Sequence, residues 1–143
     1  TVVNNHFVLT EWSEPRLHPE RVASYNIYRS TDTTGNFYSL LATVSSNVTS
    51  YEDFDVNVDA QNYYYKIEVV SDCNLSGTLS SQSSSILLQS KWEYANSRLW
   101  WTRYEKWDTG VERYEIEKYN WSTGQWEKIK TVPGNATETE VDE

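Results

Sequence analysis

The chain has one cysteine, no methionine, three prolines and five glycines in 143 residues. A lone Cys73 excludes any disulfide within the chain, so packing must hold the fold; the thiol reads as a strand-end residue rather than a nucleophile. So little glycine and proline argues against long disordered linkers. No apolar run approaches the roughly 18–20 residues of a membrane span, and membrane insertion is not expected. Basic residues are also few. Twelve Lys and Arg against 21 Asp and Glu leave a formal charge of −9, which repels phosphate backbones and makes nucleic acid a poor partner. His6 and His18 are the only histidines, and neither stands in a Ser, Cys or carboxylate pattern of the kind that general acid–base chemistry needs. No enzyme and no cofactor are expected. With neither an initiator methionine nor a signal peptide, the chain is expected to be an internal or processed piece of something longer.

Aromatic residues are plentiful: 7 Trp, 11 Tyr and 3 Phe. Ser, Thr and Val are abundant too, which suits strands and polar turns. The chain also repeats itself. Trp12 and Trp101 are 89 residues apart, as are Val22 and Val111, Tyr25 and Tyr114, Ile27 and Ile116, Arg29 and Lys118, and Phe37 and Trp126. Beyond Phe37 the register slips by about a residue. A period this long implies tandem domains rather than a solenoid of 20–50-residue units. The expected organisation is one domain over residues 1–88 and part of a second over 89–143. Counterparts run to about Asp53 and are missing for residues 54–88.

Strand signals recur every 8–14 residues between polar turns, the spacing of an all-β sandwich. His6–Trp12, Ser24–Ser30, Phe37–Val44, Val48–Tyr51, Asn62–Val70 and Thr78–Leu88 read as strands of the first unit. Arg98–Tyr104, Glu112–Tyr119, Gln125–Val132 and Thr137–Val141 read as strands of the second. Alternation is clearest over Asn62–Val70, which puts Tyr63, Tyr65, Ile67 and Val69 on one face and Tyr64, Lys66, Glu68 and Val70 on the other.

A Trp on the first long strand, Tyr25-Asn-Ile-Tyr-Arg29 on the next and Tyr63-Tyr-Tyr-Lys-Ile67 later resemble the fibronectin type III family. The resemblance implies a fibronectin type III-like, immunoglobulin-like β-sandwich followed by a partial second one. It makes Trp12 and Trp101 buried core residues and Tyr63 the tyrosine corner, whose hydroxyl bonds to upstream backbone. Tyr25, Ile27, Tyr65, Ile67, Tyr114 and Ile116 complete the expected core. The wording of Ser50-Tyr-Glu-Asp53, of Val70-Ser-Asp-Cys73 and of Trp101-x-x-Tyr104-x-x-Trp107 is similar to tandem modules in secreted or cell-surface proteins of gliding or type IX-secreting bacteria. Bacterial secretion or surface display is therefore the expected location.

Two groups of residues could carry a ligand. Asp53, Asp55, Asn57 and Asp59 place oxygen side chains at alternate positions, as the start of a calcium loop does, although Val58 replaces the turn glycine and Tyr64 the closing bidentate Glu. The competing reading is a polar crossover in which Asp53 satisfies loop amides. Trp100, Trp107 and Trp121 of the second unit could stack on sugar rings or anchor a protein, with Trp92 also read as a loop residue and Trp126 as core. Four N-x-S/T sequons, at Asn47, Asn74, Asn120 and Asn135, are common in a chain so rich in Asn, Ser and Thr.

The resemblance implies a non-enzymatic spacer or adhesion module whose partners are other domains of the parent protein, other proteins or surface glycans. A carbohydrate-binding accessory module and a cargo recognised by an export machinery are the alternatives. For the shortened second unit three explanations stand open: a fragment of a larger protein, strands supplied by another chain, or a strand assignment that does not hold there.

Overall fold

The computed structural model describes residues 2–4, 6–16, 18–93, 95–105 and 110–142. Two compact units divide the chain at Thr1–Leu87 and Leu88–Glu143, one residue from the boundary read in the sequence. Among the described residues there is no α-helix, only a 3₁₀ turn at Pro19–Arg21, and so none long and apolar enough to cross a membrane.

In the first unit β1 (Val2–Val3), β2 (Phe7–Glu11) and β5 (Ser50–Asp53) form a three-stranded antiparallel sheet in the order β1-β2-β5. The other sheet holds β3 (Val22–Ser30), β4 (Ser39–Ser45), β6 (Tyr64–Ser71) and β7 (Ser83–Ser84) in the order β4-β3-β6-β7. Three strands packed on four in this order make the fibronectin type III-like sandwich. Its core follows from alternation. Val8, Ile27, Val58, Tyr63 and Tyr65 are buried together, with Trp12, Leu41, Ala42, Val44, Tyr51 and Ile67 packed against them.

Alternation fails at Tyr64. It faces away from Tyr63 and Tyr65 yet is buried as deeply, because it pairs with Ser30 on one side and Ser84 on the other. The closing strand expected over Thr78–Leu88 also dissolves. Only Ser83–Ser84 makes a ladder, while Gly77, Ser80 and Ser85 donate single backbone bonds to Val69, Ile67 and Tyr63. A stretch made of Ser, Gly and Thr has little side-chain surface to pack, so it follows β6 by isolated bonds. Leu88 belongs to the next unit.

That unit opens with a strand the sequence did not announce. β8 (Leu88–Glu93) pairs with β9 (Asn96–Trp101), which pairs in turn with β12 (Glu138–Asp142). Trp92 thus lies in a strand, not a loop. β10 (Arg113–Asn120) and β11 (Gln125–Pro133) form a separate antiparallel pair.

The copies match in fine detail. Trp12 meets Tyr25 edge-on at 5.4 Å and 65°, and Trp101 meets Tyr114 at 5.3 Å and 64°. Trp12 N–H donates to Thr49 O, as Trp101 N–H does to Thr137 O. The ladder bulges between Ile27 and Tyr28 and again between Ile116 and Glu117. Even an orphan donor recurs: both buried indole N–H groups lack an acceptor among the described residues. Ladder partners also locate the register slip. Arg29 pairs with Ser39 and Lys118 with Glu127, so Trp126 stands in the place of Tyr38 rather than Phe37. The missing residue lies in the turn before those strands.

Neither Phe37 nor Trp126 is core, at 76% and 61% exposed. Gly134 has no such freedom. A Cβ there would fall 1.6 Å from the carbonyl oxygen of Val111, so Gly134→Ala is expected to destabilise the second unit by about 2 kcal/mol, through forced backbone movement. Thermal denaturation of the variant against the parent checks it.

Candidate functional site

The acidic run is spent on structure. Asp53, 2% exposed, ends β5 and accepts Arg29 Nη1 at 3.0 and 2.9 Å on its two oxygens. It also accepts the Tyr65 hydroxyl at 2.8 Å and the Asp55 amide at 3.1 Å. Arg29 continues to the Asp55 carboxylate at 3.2 Å and the Asp55 carbonyl at 2.7 Å, and lies 5.6 Å from the centre of the Tyr63 ring. Desolvation pulls the guanidinium pKa down, but the bonds to Asp53 and Asp55 more than offset it and the value is raised. Burial, and then the hydrogen bond to Asp53, hold the Tyr65 hydroxyl well above the usual range.

The calcium reading of Asp53, Asp55, Asn57 and Asp59 is thereby corrected. A guanidinium already occupies the two best carboxylates, and the Asn57 amide donates to the Tyr63 hydroxyl at 2.7 Å. No group of three or more His, Cys, Asp or Glu among the described residues could hold a metal ion. The melting temperature of the first unit is expected to be the same in excess calcium and in EGTA, by calorimetry. That Asn57 bond, with one from Gln61 Nε2 at 2.9 Å, gives Tyr63 its tyrosine-corner geometry.

The indoles of the second unit fall into three situations. Trp101 is buried and turned to Tyr114, while Tyr114 and Ile116 are half-buried. Trp107 lies outside the described residues. Trp100 points to the opposite face from Trp101, half-buried, its Nε1 donating to Gln89 Oε1 at 2.8 Å. It stands in an open groove of about 450 Å³ lined by Lys91, Arg98, Trp100, Trp101, Thr137 and Glu138. Arg98 and Glu138 form an ion pair across this face. An indole flanked by an amide, a guanidinium and a carboxylate offers both a stacking surface and donors and acceptors for hydroxyl groups.

Trp121 is 88% exposed and does not join that groove. It lies in the β10–β11 turn and touches Tyr119 edge-on at 4.8 Å, and Trp126 touches the same ring at 5.4 Å. The sequence reading named Trp121 but missed Tyr119 and Trp126. The ladder pairing Tyr119↔Trp126 would have found them, once the register slip was placed in the turn. The three predicted indoles therefore do not form one site.

No family model matches the chain, and no curated protein does. Among solved structures it is similar to a β-1,2-glucanase from Parabacteroides distasonis, at 26% identity over 57% of this chain and TM-score 0.47. It is similar to the pectate lyase Pel3 from Pectobacterium carotovorum, at 22% identity over 58% of this chain and TM-score 0.50. The central fibronectin-III array of RIM-binding protein matches 98% of this chain at 12% identity and TM-score 0.47. The matches span 11%, 24% and 53% of those proteins. The strand order carries the fold assignment, and none of these likenesses speaks to what the chain binds: it is a fibronectin type III-like all-β protein.

Proposed function

We propose that the chain is a non-enzymatic interaction and spacing module of a larger secreted or cell-surface bacterial protein. One observation carries this reading: the side chains capable of chemistry are engaged in holding the fold. Asp53, Arg29 and Tyr65 hold one another inside the first unit, and in the second unit Glu115 and Glu138 lie exposed on ladders, paired with Arg113, Lys128 and Arg98. Sandwiches of this type host many functions, so the role lies in surfaces rather than in a catalytic centre. Export through a type IX system, or a part in gliding, is the narrower form of the proposal. It rests on the wording of the motifs Ser50–Asp53 and Val70–Cys73.

Incubating the purified chain with β-glucans and pectate should yield no new reducing ends or unsaturated products above blank. Turnover that co-purifies with the chain would contradict the non-enzymatic reading. Surface fractionation of the source cells tests the location; a purely cytoplasmic pool would contradict it.

A second reading, a carbohydrate-binding accessory module, is favoured by the Trp100 groove. Tryptophan fluorescence titrated with oligosaccharides should then respond in the parent and lose its response in Trp100→Ala.

A further inference from the structure

Two ladder rows cross the outer face of the sheet β8-β9-β12. Gln89, Trp100 and Glu138 form one, and Lys91, Arg98 and Glu140 form the next. The strands of the first unit that lack a counterpart in the second are β6 and β7, and both belong to the other sheet. The matching sheet, β1-β2-β5, likewise has three strands, so this face does not owe its exposure to their absence. Its side chains set it apart from the first unit. Glu11 and Ser50 stand where Trp100 and Glu138 do, and Leu9 stands where Arg98 does. The indole and the ion pair beside it are therefore additions of the second unit, not parts of the frame the copies share.

We infer that this face binds a neutral oligosaccharide of all-equatorial pyranose rings, the β-linked glucan class. The inference rests on the carbohydrate-binding reading of the Trp100 groove and names its ligand. The bond from Trp100 Nε1 to Gln89 orients the indole before a ligand arrives, which lowers the ordering cost of stacking. A sugar that stacks flat must present C–H groups to the ring, and equatorial hydroxyls leave them on both of its faces. An axial hydroxyl would press a polar group against the indole and leave it without a partner. Arg98 and Glu138, joined beside the indole, offer donors and an acceptor to the hydroxyls at the sugar's edge. Charge decides the remaining choice. Lys91 and Arg98 stand against Glu138 and Glu140 on this face, two of each sign, so neither a uronate nor an amino sugar gains a net partner. A polyuronate would also approach a chain of formal charge −9.

The test titrates the full chain with cellohexaose, β-1,4-mannohexaose and hexagalacturonate in turn. Calorimetry gives the affinities, and NMR of the indole N–H groups locates the site, the Trp100 signal being assigned by its loss in Trp100→Phe. Cellohexaose should shift that signal and bind about tenfold or more tightly than the other two, whose axial hydroxyls or carboxylates go unpaired. Trp100→Phe, with less ring to stack on, should weaken cellohexaose binding about tenfold. Glu138→Gln, which keeps the shape but loses the charge-assisted bonds, should weaken it too. Equal affinity for mannohexaose or hexagalacturonate, reduced by Trp100→Phe, would overturn the ligand class while the carbohydrate-binding reading stands. Cellohexaose binding unchanged in Trp100→Phe would overturn the site. No response to any of the three would overturn the inference together with the reading beneath it.

Discussion

Asp53→Ala is expected to cost the first unit about 3–4 kcal/mol, because removing one member of a buried pair leaves the other charge without compensation. The side chain is 2% exposed and that of Arg29 is 22% exposed, so water reaches only the guanidinium rim. Two bonds to Arg29 and one to the Tyr65 hydroxyl disappear together, and the phenol is left buried without its acceptor. Urea denaturation followed by Trp12 emission checks the loss. Asp53→Asn, which keeps an acceptor for Tyr65, should lose less.

The same network sets an alkaline limit. Burial and the bond to Asp53 raise the Tyr65 pKa above its ordinary value of about 10. Above that pH the unfolded chain releases the proton while the folded chain keeps it. The folded state then binds more protons, and stability falls as pH rises. Below that pH the contribution is fully present. Tyr65→Phe should remove this part of the decline, seen as a flatter stability profile in the alkaline range.

Ile27→Ala and Ile116→Ala are expected to differ although they change the same residue of the same motif. Ile27 is 0% exposed and sits between β4 and β6, so truncation opens a cavity worth about 4 kcal/mol. Ile116 is half-buried, and among the described residues no strand stands where β6 stands beside Ile27. Its loss should cost about 1 kcal/mol, since part of its surface already meets water. Denaturant titration read from amide signals of each unit separates the two values; equal losses would mean that Ile116 is covered as Ile27 is.

Much of this organisation was legible before the coordinates. Period-two patterning marked β3 and β6, because each has an apolar face to bury and cannot slip by a residue without exposing it, and the 89-residue repeat carried the reading to β10 and β11. What escaped had weak local signals. β8 was missed because Leu88–Glu93 alternates poorly and its partner β9 was read as starting two residues later. The Arg29–Asp53 pair was hidden by 24 residues of separation, although the acidic run that contains it was noticed and given to calcium instead. Trp126 was placed in the core by an ungapped count. A turn one residue shorter moves it to the Tyr38 place, on the outer face beside Tyr119. At the candidate site composition pointed to indoles but could not say which shared a surface; Trp100 lies on β9, Trp121 in the turn between β10 and β11.

Native-state amide exchange of the free chain tests the central claim, that the second unit reproduces the first as far as its fifth strand and that, among the described residues, β10 is paired on one side alone. In β3, whose two neighbours take its outward groups on both sides, consecutive amides should be protected alike. In β10, protected and fast-exchanging amides should alternate, the slow ones being those directed at β11. Uniform protection along β10, matching that of β3, would contradict the account.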